Sequence, residues 1–158
     1  MKLYRRTSLL GACVLAAALA IPAGALAGAE LQVRTAKKAS GPYAEFTRLN
    51  IPDGEAKNGY VRVKNKLDKK VGVTLTYEIV VVSDPEYTIR WFKGKKNITA
   101  DVSNAGYDFG LRPGRSKVFR TKIKAPNGAE PMCMSAGTDI GGSFSGNAFL
   151  SVNGNCAD

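Results

Sequence analysis

Between residues 59 and 65, and again between 117 and 124, side-chain character alternates with a period of two. Val61 and Val63 sit between Tyr60, Arg62 and Lys64, and Phe119, Thr121 and Ile123 between Val118, Arg120, Lys122 and Lys124. That period belongs to a strand with one face buried, and no helical periodicity competes with it along the chain. The same reading gives nine candidate strands: Leu31 to Thr35, Tyr43 to Leu49, Gly59 to Asn65, Gly72 to Val82, Tyr87 to Phe92, Tyr107 to Leu111, Lys117 to Lys124, Met132 to Ala136 and Ala148 to Asn153. The segments between them carry turn chemistry: Pro52-Asp53-Gly54, Leu67-Asp68-Lys69-Lys70, Asp84-Pro85, Lys93-Gly94, Arg112-Pro113-Gly114 and Asn127-Gly128. Proline fixes φ in such turns, and glycine or asparagine tolerates positive φ. Short strands punctuated this often predict an all-β, two-sheet sandwich of about seven to nine strands. The run Ile79-Val80-Val81-Val82 is apolar on both faces, which suits a central strand or one at the lip of a sheet.

The N-terminus reads as an address. Lys2, Arg5 and Arg6 precede the apolar run Ser8 to Ala20, which is followed by Pro22 and the small-residue triplet Ala25-Leu26-Ala27. This is the pattern of a cleavable export signal over 1–27, leaving 28–158 as one domain with no transmembrane segment. Cys13 falls inside that leader, so Cys133 and Cys156 remain as an even pair in a chain bound for an oxidising compartment. A disulfide is the expected state. Its loop of roughly twenty residues would contribute on the order of 3 kcal/mol by constraining the unfolded chain.

Several segments also form an ordered pattern: Tyr60-Val61-Arg62-Val63-Lys64-Asn65, Tyr87-Thr88-Ile89-Arg90-Trp91-Phe92, Asn97-Ile98-Thr99-Ala100-Asp101-Val102, Leu111-Arg112-Pro113-Gly114 and Phe119-Arg120-Thr121-Lys122-Ile123. In order and spacing they resemble the immunoglobulin-like module found, often in tandem, in exported bacterial surface proteins. The resemblance covers roughly residues 30 to 153 and implies an immunoglobulin-like β-sandwich in single copy. It implies no particular activity, because sandwiches of this kind host many functions. The Cys133 and Cys156 pair and the glycine-rich stretch from Gly137 to Gly146 depart from the pattern, and that stretch reads as a flexible hairpin connection. On the implied topology Met132 to Ala136 and Ala148 to Asn153 are neighbouring last strands, and the two cysteines meet across them or at their end. Asn65, closing its strand, is placed to bond the turn that follows.

Charge is the strongest functional signal. The whole chain carries 23 Lys and Arg against 13 Asp and Glu, and no histidine. Removing Lys2, Arg5 and Arg6 with the leader leaves 20 basic and 13 acidic groups, a net of +7, and every one of those cations precedes Ala125. If Val61, Val63, Phe119, Thr121 and Ile123 point inward, then Arg62, Lys64, Arg120, Lys122 and Lys124 project together from the opposite face. Strands 59–65 and 117–124 are neighbours in the implied topology. Like charges opposed across a strand pair repel by a few tenths of a kcal/mol or more unless an anion compensates. A basic stripe is therefore expected, for which an anionic cell-surface polymer is the matching partner. A solubilising surface that discourages sheet stacking explains the same residues equally well.

Other chemistries are poorly supplied. Without histidine, imidazole catalysis and most zinc chemistry are excluded. Met132-Cys133-Met134 offers soft sulfur ligands for copper, but in a strand Cys133 faces away from both methionines and a disulfide consumes its thiolate. Asp53-Gly54-Glu55 and Asp84-Pro85-Glu86 lack the ligand count of a calcium loop. No helix is available to enter a nucleic-acid groove, so sequence-specific recognition is not expected. The sequence predicts a secreted, non-enzymatic binding or structural module of the cell envelope. It needs no cofactor and attaches to an anionic polymer or to another envelope protein. The alternative is an extracellular matrix or fibre subunit that assembles through strand edges.

Overall fold

A computed structural model describes residues 30–81, 86–154 and 156; the leader expected over 1–27 and the Asp84-Pro85 turn lie outside them. Two five-stranded sheets pack face to face. The first runs in the order β1 (Leu31–Ala36), β3 (Ala56–Asn65), β8 (Ser116–Lys124), β5 (Thr88–Lys93) and β6 (Lys96–Asn97). The second runs β2 (Phe46–Leu49), β10 (Ser143–Val152), β9 (Met132–Ile140), β4 (Val71–Val81) and β7 (Tyr107–Leu111). All nine expected strands are present, and the two-residue β6 makes a tenth.

The alternation that identified the strands is what fills the core. Val61 and Val63 of β3, and Phe119, Thr121 and Ile123 of β8, are all buried and meet Trp91 of β5 and Leu75 of β4. Trp91 and Phe92 take opposite faces of β5: Trp91 is fully buried 5.7 Å from the Tyr77 ring, while Phe92 lies on the outer surface. Phe109 and Phe119 join the two sheets with ring centroids 5.1 Å apart. Large rings interdigitated in this way supply much of the burial on which a sandwich depends.

Three features depart from the sequence expectation. The chain changes sheets after β1: the bridge between Thr35 and Ala44 couples the two halves of the crossing, and β2 then pairs in parallel with β10. Residues Thr99–Asn104 form a short helix, α1, that carries the chain from β6 in one sheet to β7 in the other. The Asn97 side chain starts it by accepting hydrogen bonds from the Thr99 amide and hydroxyl, and Val102 anchors it in the core. The glycine-rich stretch is not a flexible connection, because β9 and β10 run through it and the turn is confined to Gly141 and Gly142, at φ 59° and 82°. Gly146 is a packing residue: a β-carbon there would stand 2.9 Å from the Leu31 carbonyl oxygen.

Asn65, at the end of β3, is a buried hub. Its amide nitrogen donates to the carbonyls of Lys69 (2.8 Å) and Leu111 (3.0 Å), and its side-chain oxygen accepts from the Leu67 amide (2.9 Å). Its own amide donates to the Arg115 carbonyl. The turns after β3 and β7 are thereby tied to one end of the sandwich. At the opposite end Cys133, on the face of β9 away from Met132 and Met134, is disulfide-bonded to Cys156 beyond the end of β10, with Cα atoms 5.4 Å apart. No helix among the described residues is long and apolar enough to cross a membrane.

Candidate functional site

The two sheets differ in charge. Strands of the first carry eleven cations and no acid: Arg34 in β1; Lys57, Arg62 and Lys64 in β3; Lys117, Arg120, Lys122 and Lys124 in β8; Arg90 and Lys93 in β5; and Lys96 in β6. Strands of the second carry one cation, Arg48, with Glu78, Asp108 and Asp139. Register then places seven of these cations on the outer face, while Lys57, Lys93, Lys96 and Lys117 take the inward alternation. Lys122 lies opposite Asn58 on one side and Arg90 on the other, Arg120 opposite Tyr60 and Phe92, and Arg62 opposite Val118 and Arg34. Residues 62, 64, 120, 122 and 124, expected to share an outward face, do share it. Arg34 and Arg90 extend that face across both flanking strands.

Two guanidinium groups on this face are held by rings. The Arg62 guanidinium carbon lies 4.3 Å from the Tyr43 ring centroid, and that of Arg120 lies 4.4 Å from Phe92. Such stacking leaves the donor edge of a guanidinium directed along the surface while removing much of its rotamer freedom. Tyr43 comes from the crossing between β1 and β2 and is fixed by its hydroxyl, which donates to the Ala39 carbonyl (2.7 Å). Burial raises the Tyr43 hydroxyl pKa, and the neighbouring Arg62 charge partly offsets the rise. Arg34 forms an ion pair with Glu45 (2.6 Å). Among the described residues Arg62, Lys64, Arg90, Arg120, Lys122 and Lys124 form no ion pair, so at Arg90 and Lys122 like charges stand opposed without an acid, whereas Arg34 opposite Arg62 has Glu45.

Lys117, at the start of β8, sits 5.0 Å from the Phe109 ring. Its pKa is lowered, first by desolvation and then by the positive charge and hydrogen bonding of Lys93. A second surface is a groove of about 890 Å³ where β1 approaches β10, lined by Leu31, Val33, Phe46, Gly146 and Phe149 among others.

The other candidate chemistries resolve into structure. Met132 and Met134 are core residues, and Cys133 is consumed by its disulfide. Asp53 accepts a hydrogen bond from the Gly128 amide (2.7 Å) and so joins two turns. No group of three or more His, Cys, Asp and Glu side chains suited to a metal occurs among the described residues. The ring contacts from Tyr43 and Phe92 had no signal in the sequence, since the chain crossing and the pairing of β5 with β8 create them.

No family model matches the sequence, and no curated protein matches it. Among solved structures, a family 123 glycoside hydrolase from Clostridium perfringens is similar, with a TM-score of 0.51 and 14% identity over 78% of this chain. This chain spans 27% of the length of that enzyme. The N-terminal domain of PorA is similar at a TM-score of 0.49 and 12% identity, over 77% of this chain and 96% of that one. A PapD-like domain of human CEP192 is similar at 0.42 and 10% identity, over 82% and 88%. At these identities the likeness concerns the fold alone, a two-sheet β-sandwich.

Proposed function

We propose that the protein is an exported, non-enzymatic binding module of the bacterial cell envelope that attaches to an anionic surface polymer through the outer face of its first sheet. The observation that carries this reading is the separation of charge: the strands of the first sheet hold no acid and seven of their cations, Arg34, Arg62, Lys64, Arg90, Arg120, Lys122 and Lys124, share its outer face, against one cation and three acids in the strands of the second. Opposed like charges repel across a strand pair, and this cost favours a face that meets an anion over one that serves solubility alone. A polymer carrying a phosphate or carboxylate on each repeat would relieve the Arg90–Lys122 opposition while releasing its counterions. Arg62 and Arg120, already held on rings, are the residues best prepared to make directed contacts. The export leader and the Cys133–Cys156 bond support an extracytoplasmic site of action.

Retention on an immobilised polyanion tests this. It should fall steeply as salt rises, and it should fall further when Arg120, Lys122 and Lys124 are all replaced by Glu. Retention indifferent to both would remove the proposal. Assembly through a strand edge is the second reading, favoured by the apolar groove beside β1. An assembler grows in mass with concentration, whereas a module acting through its basic face stays at one mass.

A further inference from the structure

Phe144 is the most exposed large apolar side chain among the described residues, at 68% exposure. It is the second residue of β10, one residue beyond the Gly141-Gly142 turn, and a β-carbon built on either glycine meets nothing within 4 Å, so the turn projects freely. The turns after β3 and β7 flank it at the same end of the sandwich, where the Asn65 hub binds them together. They carry Lys66, Lys69, Lys70, Arg112 and Arg115, all exposed, and the acid Asp68, while Glu30 stands just before β1 and Asp139 lies directly opposite Phe144 across the β9–β10 pair. Lys66 and Phe144 line one wall of the same groove.

We propose that this end of the molecule is a docking surface for an anionic lipid bilayer. An apolar wedge at the tip of a hairpin, at an end of the sandwich where five cations outnumber the three acids Glu30, Asp68 and Asp139, supplies the two signals that peripheral attachment needs: apolar burial below the headgroups and attraction to their charge. Either signal alone gives weak, reversible association. Charge complementarity selects the anionic bilayer over a zwitterionic one, and the exposed ring selects a bilayer over a soluble polymer, which offers no apolar layer to enter. The surface is distinct from the sheet face carrying Arg120, Lys122 and Lys124. A protein docked by its end leaves that face free beside the membrane.

The test uses vesicles of equal parts phosphatidylglycerol and phosphatidylcholine, with vesicles of phosphatidylcholine alone as the comparison. The native tryptophan, Trp91, is fully buried, so a Phe144→Trp variant reports its own position against a fixed background. Its emission should shift to the blue on the anionic vesicles and be quenched by brominated acyl chains. Phe144→Ser should weaken sedimentation with those vesicles about tenfold or more, and Gln at all five loop cations should abolish it. An F144W emission that stays unshifted and unquenched on vesicles that sediment the protein would overturn the proposal, since adsorption is then electrostatic only. So would an unchanged vesicle affinity of F144S, or an F144S effect on oligomeric mass in its place. Polyanion retention by F144S reports separately on the sheet face.

Discussion

Replacing Asn65 by alanine is the sharpest perturbation of this fold that leaves every apolar contact intact. Three side-chain hydrogen bonds are lost, two donated to the Lys69 and Leu111 carbonyls and one accepted from the Leu67 amide. Each is worth about 0.5–1.5 kcal/mol net, so the sum is about 3 kcal/mol. The Leu111 bond is fully buried, and that carbonyl has no route to water after truncation, which places the cost toward the upper part of the range. With a urea slope of about 2 kcal/mol per molar for a domain of this size, the denaturation midpoint should fall by about 1.5 M with the slope unchanged. Asn65→Asp keeps the acceptor for Leu67 but sets a carboxylate against two carbonyl oxygens, and should cost at least as much at neutral pH. Chemical denaturation followed by tryptophan fluorescence reads the change, because Trp91 lies in the core. A midpoint shift below about 0.3 M for the alanine variant would refute the view that this amide holds the two turns to the sandwich.

Opposite in sign is Thr121→Val. The Thr121 hydroxyl is buried with no hydrogen-bond partner among the described residues, so an isosteric methyl should raise stability by about 1 kcal/mol, read as a higher urea midpoint. Lys117 has a lowered pKa, so at mildly alkaline pH a larger fraction of it is free amine than of an ordinary lysine. Limited acylation near pH 8 followed by peptide mass analysis should find it modified ahead of the exposed Lys122 and Lys124; equal rates would contradict the desolvation beside Phe109 and the influence of Lys93. Because Arg90 and Lys122 oppose each other, Arg90→Thr should stabilise the free protein by about 0.2–1 kcal/mol at low ionic strength. The gain should shrink as added salt screens the pair, and a salt-independent difference would assign the effect to strand propensity.

The strands were legible because their physics is local. A side chain at period two must choose between core and water, and β3 and β8 state that choice residue by residue. The role of Asn65 was legible for the same reason, as an amide at the end of a strand before a polar turn. Gly137 and Gly146 misled because glycine signals both flexibility and close approach, and only the position of Leu31 against Gly146 decides for the second. The helix α1 is a single short element whose signal is one asparagine and one buried valine, too brief for periodicity. Arg34 and Arg90 belong to the basic face through strand order, with β1 beside β3 and β5 beside β8, which no local pattern encodes.

Amide chemical-shift mapping during titration with linear polyphosphate tests the central claim most directly, since it reads which face the anion meets. The largest changes should cluster on the first sheet, around Arg62, Lys64, Arg90, Arg120, Lys122 and Lys124, and fade as salt is raised. Changes centred instead on Glu78 and Asp139 of the second sheet, or scattered without preference over both, would contradict it.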